Sequence, residues 1–318
     1  EGMDRFTEAL GLLTPKRTAL VLIAGCGAPR GSGWPRWGLI KVAEVSQLWI
    51  YPVKSCRGAA LTLAECSQLG LGSGPLKDRH WIIVDEACHM ITGRVQPSLV
   101  LVSVSKKNDD LCLNATGMQE LRIPFELPKS NPIFKTYAFC RVFQTDIEGR
   151  DCGDKAAEWI TTYLKNTQPF RLMSYEPTMK PRRSKNNMKT GCFYSFLQIA
   201  YSDLSACMLL SEASVEDLNT RLEKKVKVEN FRPVIVVKDC EPYKEVNRFF
   251  YIDRCIFTTV DPDTGIISRK EPLQTLKSYR QCDPSEKHIY KSDALFGVHF
   301  RIDETGVIQV GDPVYKIC

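Results

Sequence analysis

The sequence lacks the short motifs that mark the commonest catalytic classes. It has no Gly-x-Ser-x-Gly elbow, no Walker loop and no His-Glu-x-x-His motif, and only four histidines are present in 318 residues. Its 13 cysteines are odd in number and include no Cys-x-x-Cys pair. These observations argue against a hydrolase triad, a nucleotide-binding loop, a structural zinc site and a disulfide framework. They favour a reducing compartment.

Long apolar runs and a strong net charge are absent as well. The apolar run at residues 19–28 has about half of the roughly 20 residues that cross a bilayer. We therefore interpret residues 1–44 as a leader or linker, with a weak membrane anchor as the alternative. The net charge of +6 favours anionic partners only weakly. The densest basic run, Lys180–Lys185, lacks interleaved aromatic residues, so we expect a solvated loop and no nucleic-acid partner.

From residue 45 onward, short β-type runs alternate with turn residues, and two helical segments interrupt them. This pattern is typical of antiparallel β structure. We predict strands at residues 47–51, 80–84, 98–104, 111–113, 120–123, 140–143 and 231–237, helices at 154–165 and 214–222, and a hairpin-like end at 307–315. The expected fold class is α+β, rich in β structure with a few packed helices, and divided into residues 45–185 and 186–318.

Candidate ligand-binding residues lie where predicted strands end. In the segment Tyr51–Cys56 a strand ends at a proline, and Lys54, Ser55 and successive backbone amides follow, which together suit a phosphate. A solvated strand-end lysine is the alternative interpretation. Arg79 and Arg232 also stand at strand edges beside aromatic residues, where a guanidinium can bind phosphate or pair with a carboxylate.

Two further segments carry candidate groups. Ser202, Asp203 and Ser205 place two hydroxyls and a carboxylate in one turn, which could line a polar pocket or cap the chain that follows. Cys255 follows Arg254, whose charge favours the thiolate, and a thiolate suits a soft, high-valent metal. Composition alone gives one cysteine among 13 no special status, so a structural role is the alternative.

Together, five ordered segments resemble the family of mitochondrial amidoxime-reducing components. They are Tyr51–Cys56, Asn230–Pro233, Arg254–Gly265, Leu276–Cys282 and Val310–Val314. The resemblance runs from about residue 45 to residue 317, nearly the whole chain. It implies a β-barrel-rich MOSC fold with an N-terminal β domain, a C-terminal MOSC domain and a molybdenum-molybdopterin cofactor between them.

The resemblance also implies roles for individual residues. Cys255 is implied as the molybdenum ligand, and Asp203 as a carboxylate near the metal that orients substrate or shuttles a proton. The residues implied to hold or adjoin the cofactor are Lys54, Ser55, Arg79, Ser202, Ser205, Asn230, Arg232, Arg254 and Cys255.

By the same resemblance, the expected reaction is reduction of N-hydroxylated compounds, namely amidoximes, N-hydroxyguanidines and hydroxylamines. The expected electron path runs from NADH through cytochrome b5 reductase and cytochrome b5, and basic residues around the cleft would dock that acidic partner. The implied location is the mitochondrial outer membrane, with the catalytic part facing the cytosol and attachment through the N-terminus.

The sequence departs from the family pattern before Cys255. Only 14 residues separate it from Cys240, where the family usually has a longer segment that contains a strand pair. Asp253, Leu204 and residues 184–197 also differ from the pattern. The alternative function is therefore a non-catalytic MOSC-like paralogue or shortened splice form that binds pterin or partner proteins without turnover.

Overall fold

The computed structural model describes residues 20–22, 39–136, 147–183, 198–243, 251–255, 259–287, 292–300, 302 and 304–317. Short strands dominate these ranges, and three α-helices pack against them. The expected α+β fold class is confirmed.

The strands are numbered in chain order. The earlier ones are β1 (Leu20–Leu22), β2 (Leu39–Ile50), β3 (Ala59–Leu61), β4 (Leu63–Ser67), β5 (Gly70–Ser73), β6 (Leu76–Lys77), β7 (Trp81–Val84), β8 (Ser103–Lys107), β9 (Asp110–Asn114), β10 (Leu121–Pro124), β11 (Ile133–Thr136) and β12 (Ile147–Asp151). The later ones are β13 (Arg171–Ser174), β14 (Arg182–Arg183), β15 (Gln198–Ile199), β16 (Cys207–Ser211), β17 (Ile235–Lys238), β18 (Tyr251–Cys255), β19 (Thr259–Val260), β20 (Ile267–Ser268), β21 (Ala294–Phe300), β22 (Gly306–Gln309) and β23 (Pro313–Ile317). The helices are α1 (Asp154–Tyr163), α2 (Glu212–Asn219) and α3 (Leu273–Tyr279), and 3-10 turns span Pro97–Leu101, Val228–Asn230 and Pro284–Glu286.

The largest sheet joins early and late parts of the chain. Its strand order is β1-β23-β2-β17-β16-β21-β18, and β3 also pairs with β2. In β2 the buried side chains are Ala43 and Val45 and then Leu48 and Ile50, so the alternation slips by one residue. The pairing with β17 shows a register shift at the same place, because a bulge opposes two residues to one.

This sheet brings three loops to one edge. β16 and β17 run parallel, with Leu209 opposite Ile235, so the chain segments that precede both strands lie at the same edge. β2 runs antiparallel to β17, with Leu48 opposite Ile235, so the residues that follow Ile50 also reach that edge. The sheet topology therefore gathers the segments around residues 51–56, 201–206 and 232.

Smaller sheets build the N-terminal part. Their orders are β10-β9-β8, β11-β12-β13-β7 and β22-β4-β5-β6, and β14 pairs with β15 and β19 with β20. Helix α1 closes this part of the core, because Ala156, Trp159 and Ile160 lie at helical spacing on its buried side. The indole nitrogen of Trp159 donates to the carbonyl oxygen of Gln119 at 2.6 Å.

Most predicted elements are found near their expected positions, with three differences. Residues 97–101 form a 3-10 turn rather than the start of a strand, and the strand begins only at Ser103. The prediction of a hairpin at residues 307–315 is wrong, because β22 pairs with β4 whereas β23 pairs with β2 and β1. The strand predicted from residue 231 begins at Ile235. The strand predicted at residues 140–143 lies outside the described residues.

Part of the predicted leader belongs to the sheet. Residues 20–22 form β1, which runs parallel to β23, and β2 already begins at Leu39. Residues 39–44 pair with residues 313–317 of β23, with one register shift between Lys41 and Ala43, so this stretch is a strand and not a linker. Among the described residues, no helix is long and apolar enough to span a membrane.

Candidate functional site

The turn after β2 buries a lysine. Val53 bridges to Trp81, and the amide of Lys54 donates to the carbonyl oxygen of Trp81 at 2.8 Å, which fixes the turn against β7. Lys54 is only 6% exposed. A buried ammonium requires charged or polar partners, because an isolated charge is strongly disfavoured in the protein interior. The predicted Lys54 is therefore a buried group and not a solvated strand-end lysine.

The partners of Lys54 come from the segment before β16. Its Nζ donates to the carbonyl oxygen of Tyr201 at 2.8 Å and forms an ion pair with the carboxylate of Asp203. Burial lowers the pKa of Lys54, and the negative charge of Asp203 opposes that effect. Burial alone would raise the pKa of Asp203, but Lys54, Arg79 and Arg94 lower it to about 2. Asp203 is therefore ionised at neutral pH.

Arg79 and Asp78 form a second pair in the same region. Asp78 is fully buried; one of its oxygens accepts from the amide of Tyr51 at 2.8 Å, and the other accepts from Nη1 of Arg79 at 2.6 Å. Burial acts to lower the pKa of Arg79, but the adjacent Asp78 carboxylate more than offsets this, so the pKa is raised. Nη2 of Arg79 donates to the carbonyl oxygen of Arg232 at 3.2 Å, which links two of the predicted residues directly.

Arg232 lies just before β17 and approaches the turn after β2. Its Nη2 donates to the carbonyl oxygen of Cys56 at 2.7 Å. Burial lowers its pKa. The side-chain oxygen of nearby Asn230 accepts from the amide of Lys227 at 2.8 Å and so stabilises the 3-10 turn Val228–Asn230. The structure thus brings Arg232 to the Lys54 turn, whereas the described contact of Asn230 stabilises the preceding 3-10 turn.

Three of the predicted residues have left-handed backbone conformations. The φ angles are +72° at Ser55, +48° at Arg79 and +57° at Arg232. This conformation is uncommon for residues other than glycine and costs free energy, so it persists where surrounding contacts enforce it. Such strained positions are often found at functional sites. Of the eight non-glycine residues with positive φ among the described residues, these three are ones selected from sequence.

The serines before β16 differ in what their hydroxyls contact. The hydroxyl of Ser205 donates to the carbonyl oxygen of Cys207 at 2.6 Å and lies 2.9 Å from Nδ1 of His299. Because its single proton is used toward Cys207, Nδ1 of His299 must be the donor of the second bond. The hydroxyl of Ser202 is buried and has no hydrogen-bond partner among the described residues, so it is the serine that a ligand could engage.

Arg182 lies beside Ser202 and Asp203, although its sequence context predicted a solvated loop. It is only 7% exposed, and its Nη2 donates to the carbonyl oxygens of Ser202 at 2.5 Å and Asp203 at 2.8 Å. Burial lowers its pKa to about 10. The expectation of a solvated basic run is wrong for Arg182, because β14 pairs with β15 and carries this side chain into the interior.

We call Lys54, Arg79, Arg182, Arg232, Asp78 and Asp203 the basic cluster. Its four cations exceed its two carboxylates, and the charge of Arg94 also acts on Asp203. Buried excess charge of one sign is stabilised by a ligand of the opposite sign. The buried Ser202 hydroxyl adds a hydrogen-bond donor. The arrangement therefore fits a phosphate-bearing ligand.

Cys255 and Arg254 are described by their backbone positions. Cys255 lies opposite Ala294 at the start of β21, whereas Cys207 pairs with Phe300 at the other end of that strand. β21 carries a left-handed glycine at Gly297, with φ of +79°, near a register shift in its pairing with β18. In this pairing, Cys255 therefore lies toward the end of β21 that is opposite to the loop before β16.

The donor set does not resemble a site for a metal ion held by protein side chains alone. In the part of the chain that the structure describes, no group of three or more His, Cys, Asp or Glu residues could hold a metal ion. A buried cation cluster with an unpaired hydroxyl instead suits a metal carried by an anionic organic cofactor, to which the protein contributes one ligand.

Two family models match most of the chain. The family model of the MOSC N-terminal beta barrel domain matches residues 42–167, and that of the MOSC domain matches residues 196–315. The chain is thus built from the two parts that define this class of MOSC proteins.

Three curated relatives extend over most of the chain. It is 51% identical to mitochondrial amidoxime reducing component 2 of Bos taurus, covering 88% of this chain and 84% of that protein. It is 49% identical to mitochondrial amidoxime-reducing component 1 of Homo sapiens, covering 89% and 87% respectively. For component 1 of Xenopus laevis the identity is 46%, covering 95% and 92%. The chain therefore belongs to the family of mitochondrial amidoxime-reducing components. At family level, these relatives support a mitochondrial, molybdenum-cofactor oxidoreductase.

Proposed function

We propose that this chain binds a molybdenum-molybdopterin cofactor at the basic cluster and reduces N-hydroxylated compounds, namely amidoximes, N-hydroxyguanidines and hydroxylamines. The observation that carries the proposal is the excess of cations over carboxylates among the buried groups of the cluster. Family membership supports a phosphate-bearing pterin as the matching anion.

Different residues of the site contribute different contacts to the cofactor. Lys54, Arg79 and Arg232 bind its anionic group, and the Ser202 hydroxyl donates a further hydrogen bond. Ser55 contributes the left-handed backbone conformation of the turn that follows Lys54. Arg182 fixes the backbone on both sides of the Ser202–Asp203 peptide, so its role is to hold that loop in place.

Four further residues complete the proposed site. Cys255 supplies the thiolate that binds molybdenum, and Arg254 favours the charged form of that thiolate. Ser205 stabilises the loop before β16 through its contacts with Cys207 and His299. Asn230 stabilises the turn before Arg232 through its contact with Lys227. When bound, the cofactor supplies two-electron chemistry in which the oxygen of the N-hydroxyl group is removed.

Asp203 is proposed to orient the substrate. Its carboxylate is 42% exposed although its partner Lys54 is buried, so one face of it is open to a small molecule. Because the neighbouring cations hold its pKa at about 2, it accepts hydrogen bonds from N–H or O–H groups at neutral pH. This protonation state favours orientation of the substrate over delivery of a proton by Asp203.

The proposed electron donors are cytochrome b5 and its NADH-dependent reductase, with the protein at the mitochondrial outer membrane and its catalytic part facing the cytosol. The names of the relatives support the mitochondrial location, and the electron donors and the outer membrane are proposed from the family resemblance. Exposed basic residues near the site, such as Arg94, would favour an acidic partner through long-range attraction.

The alternative is a family member that binds pterin without turnover. It is favoured by the short connection of 14 residues between Cys240 and Cys255. The deciding measurement is molybdenum and pterin content of the purified chain, followed by benzamidoxime reduction with cytochrome b5, its reductase and NADH. Metal near one per chain with turnover supports the enzyme, pterin without turnover supports the alternative, and absence of both overturns the cofactor proposal.

A further inference from the structure

The aromatic ring of Tyr51 contacts two of the three guanidinium groups of the basic cluster, those of Arg79 and Arg232. The central guanidinium carbon of Arg79 lies 4.4 Å from the ring centroid, and that of Arg232 lies 4.2 Å from it. Both distances are within the range in which a cation is attracted by the face of an aromatic ring. Tyr51 itself is only 1% exposed, so these contacts are shielded from water.

The surrounding backbone fixes the position of this ring. The amide of Tyr51 donates to Asp78 at 2.8 Å, and its carbonyl oxygen accepts from the amide of Arg79 at 2.9 Å. Gly58 leaves the space for the ring, because a Cβ atom there would lie 2.5 Å from Cε1 of Tyr51. The ring, the Asp78 carboxylate and the Arg79 guanidinium therefore form one rigid unit.

Two neighbouring guanidinium groups repel each other, and Arg79 contributes to the lowered pKa of Arg232. The negative face of an aromatic ring offsets part of this repulsion without adding a formal charge. Burial raises the pKa of the Tyr51 hydroxyl, so the side chain stays neutral and does not cancel the charge of either arginine. A carboxylate in the same place would pair with the arginines and weaken their attraction for a ligand.

We propose that Tyr51 is a positioning residue whose ring holds Arg79 and Arg232 together so that both bind one anionic group of the ligand, such as a phosphate. The inference rests on the proposed function only for the identity of that ligand. It adds a residue that contributes through its aromatic face, whereas the cofactor-holding set contributes charges, hydroxyls and a thiol.

The test compares two substitutions at Tyr51 with a matched control. Tyr51→Phe keeps the aromatic face, and Tyr51→Leu removes it while keeping an apolar side chain. Tyr243→Leu is the control, because the ring of Tyr243 also stacks with an arginine, Arg280, at 3.9 Å but outside the basic cluster. For the unchanged chain and each variant, we would measure phosphate affinity by calorimetric titration at constant ionic strength and bound pterin by fluorimetry. Thermal unfolding establishes which variants are folded.

We expect Tyr51→Phe to bind phosphate within about twofold of the unchanged chain, and Tyr51→Leu to bind about tenfold more weakly with a matching loss of pterin. Tyr243→Leu should retain both phosphate binding and bound pterin. The inference is overturned if folded Tyr51→Leu binds phosphate as well as the unchanged chain, if Tyr51→Phe loses as much as Tyr51→Leu, or if the unchanged chain binds no phosphate. If Tyr51→Leu does not fold, Tyr51→Met replaces it in the comparison. Phosphate binding without any pterin would overturn the proposed function and leave the role of Tyr51 supported.

Discussion

Lys54 and Asp203 form an ion pair across two loops that are 149 residues apart in the sequence. The ammonium group is buried and the carboxylate is half exposed, so the pair has a protein-facing side and an open side. The carbonyl oxygen of Tyr201 also accepts from Lys54, which leaves the lysine in a fixed position. The pair therefore joins the turn after β2 to the loop before β16 and presents charge toward the candidate site.

Replacement of Lys54 should empty the site. Lys54→Met keeps a long apolar side chain but removes the buried charge, so we expect pterin content to fall by tenfold or more, in line with about 1.5–3 kcal/mol for a hydrogen bond to a charged group. Lys77→Met is the control, because Lys77 pairs with Glu65 at a more exposed position. Pterin fluorescence of the two purified variants tests this. Full occupancy in Lys54→Met would place the anion site elsewhere.

Asp203 should contribute stability that depends on pH. Its pKa is lowered from 3.8 to about 2, so the contribution is fully present above pH 3.8 and is lost as the pH falls through about 2. The difference in free energy of unfolding between the unchanged chain and Asp203→Asn should be constant from about pH 7 to pH 5 and should shrink below about pH 4. Urea unfolding at stepped pH measures this. A difference that already shrinks near pH 6 would contradict the ion pair.

The two serines should respond in opposite ways. Ser205→Ala removes the bonds to Cys207 and His299 and should lower the free energy of unfolding by about 1–3 kcal/mol. Ser202→Ala removes a hydroxyl without a partner among the described residues, so stability should be unchanged or slightly higher while pterin content falls several-fold. Urea unfolding and pterin assay of both variants test this. Equal effects on occupancy would show that the Ser205 hydroxyl also reaches the ligand.

Local sequence patterns were sufficient to select the loops of the site. Lys54, Arg79 and Arg232 each follow or precede a short apolar run, and strand ends carry ligand-binding residues because the rigid sheet positions them. The pairing of β2, β16 and β17 then brings these loops together. Lys54, Arg79 and Arg232 converge because their loops share one edge of the sheet. Asn230 contacts its own turn instead, and Cys255 lies toward the other end of β21.

The residues that sequence analysis missed depend on contacts between distant segments. Arg182 is buried because the backbone of Ser202 and Asp203 accepts its hydrogen bonds, and a local basic run gives no sign of that. Asp78 could have been noticed as the acidic neighbour of Arg79. The apolar run at residues 98–104 suggested a strand, but Pro97 begins a 3-10 turn, since proline is favoured in a first helical turn.

Cys255 is predicted to bind the metal and not the pterin. Cys255→Ala should abolish benzamidoxime reduction and lower molybdenum content, while pterin largely remains through its contacts with the basic cluster. Cys66→Ala is the control, because Cys66 lies on β4 in another sheet. Elemental analysis and pterin assay on the same samples separate the two quantities. Unchanged turnover in Cys255→Ala would refute the ligand assignment.

Tyr243 should stabilise the start of the short connection to β18. Its hydroxyl donates to Asp217 at 2.6 Å and lies 2.8 Å from the hydroxyl of Tyr279, and its amide donates to Ser214 at 2.9 Å. Its ring stacks with Arg280, which bonds to the backbone of Leu295, the residue opposite Arg254 in the sheet. Tyr243 therefore connects α2 and α3 to the strand that pairs with the predicted metal-binding segment.

Removal of the Tyr243 hydroxyl should weaken that connection without emptying the basic cluster. Tyr243→Phe keeps the ring and its stacking but loses two hydrogen bonds, so we expect a loss of about 1–3 kcal/mol in the free energy of unfolding. Amide exchange should become faster at residues 241–243 and at Leu295, because the brace between α2, α3 and β21 is loosened. Tyr175→Phe is the control, since that hydroxyl bonds to Met179 in a different core cluster. Faster exchange confined to residues 241–243 would show that the brace does not reach β21, and the pairing of Cys255 with Ala294 would then depend on β18 and β21 alone.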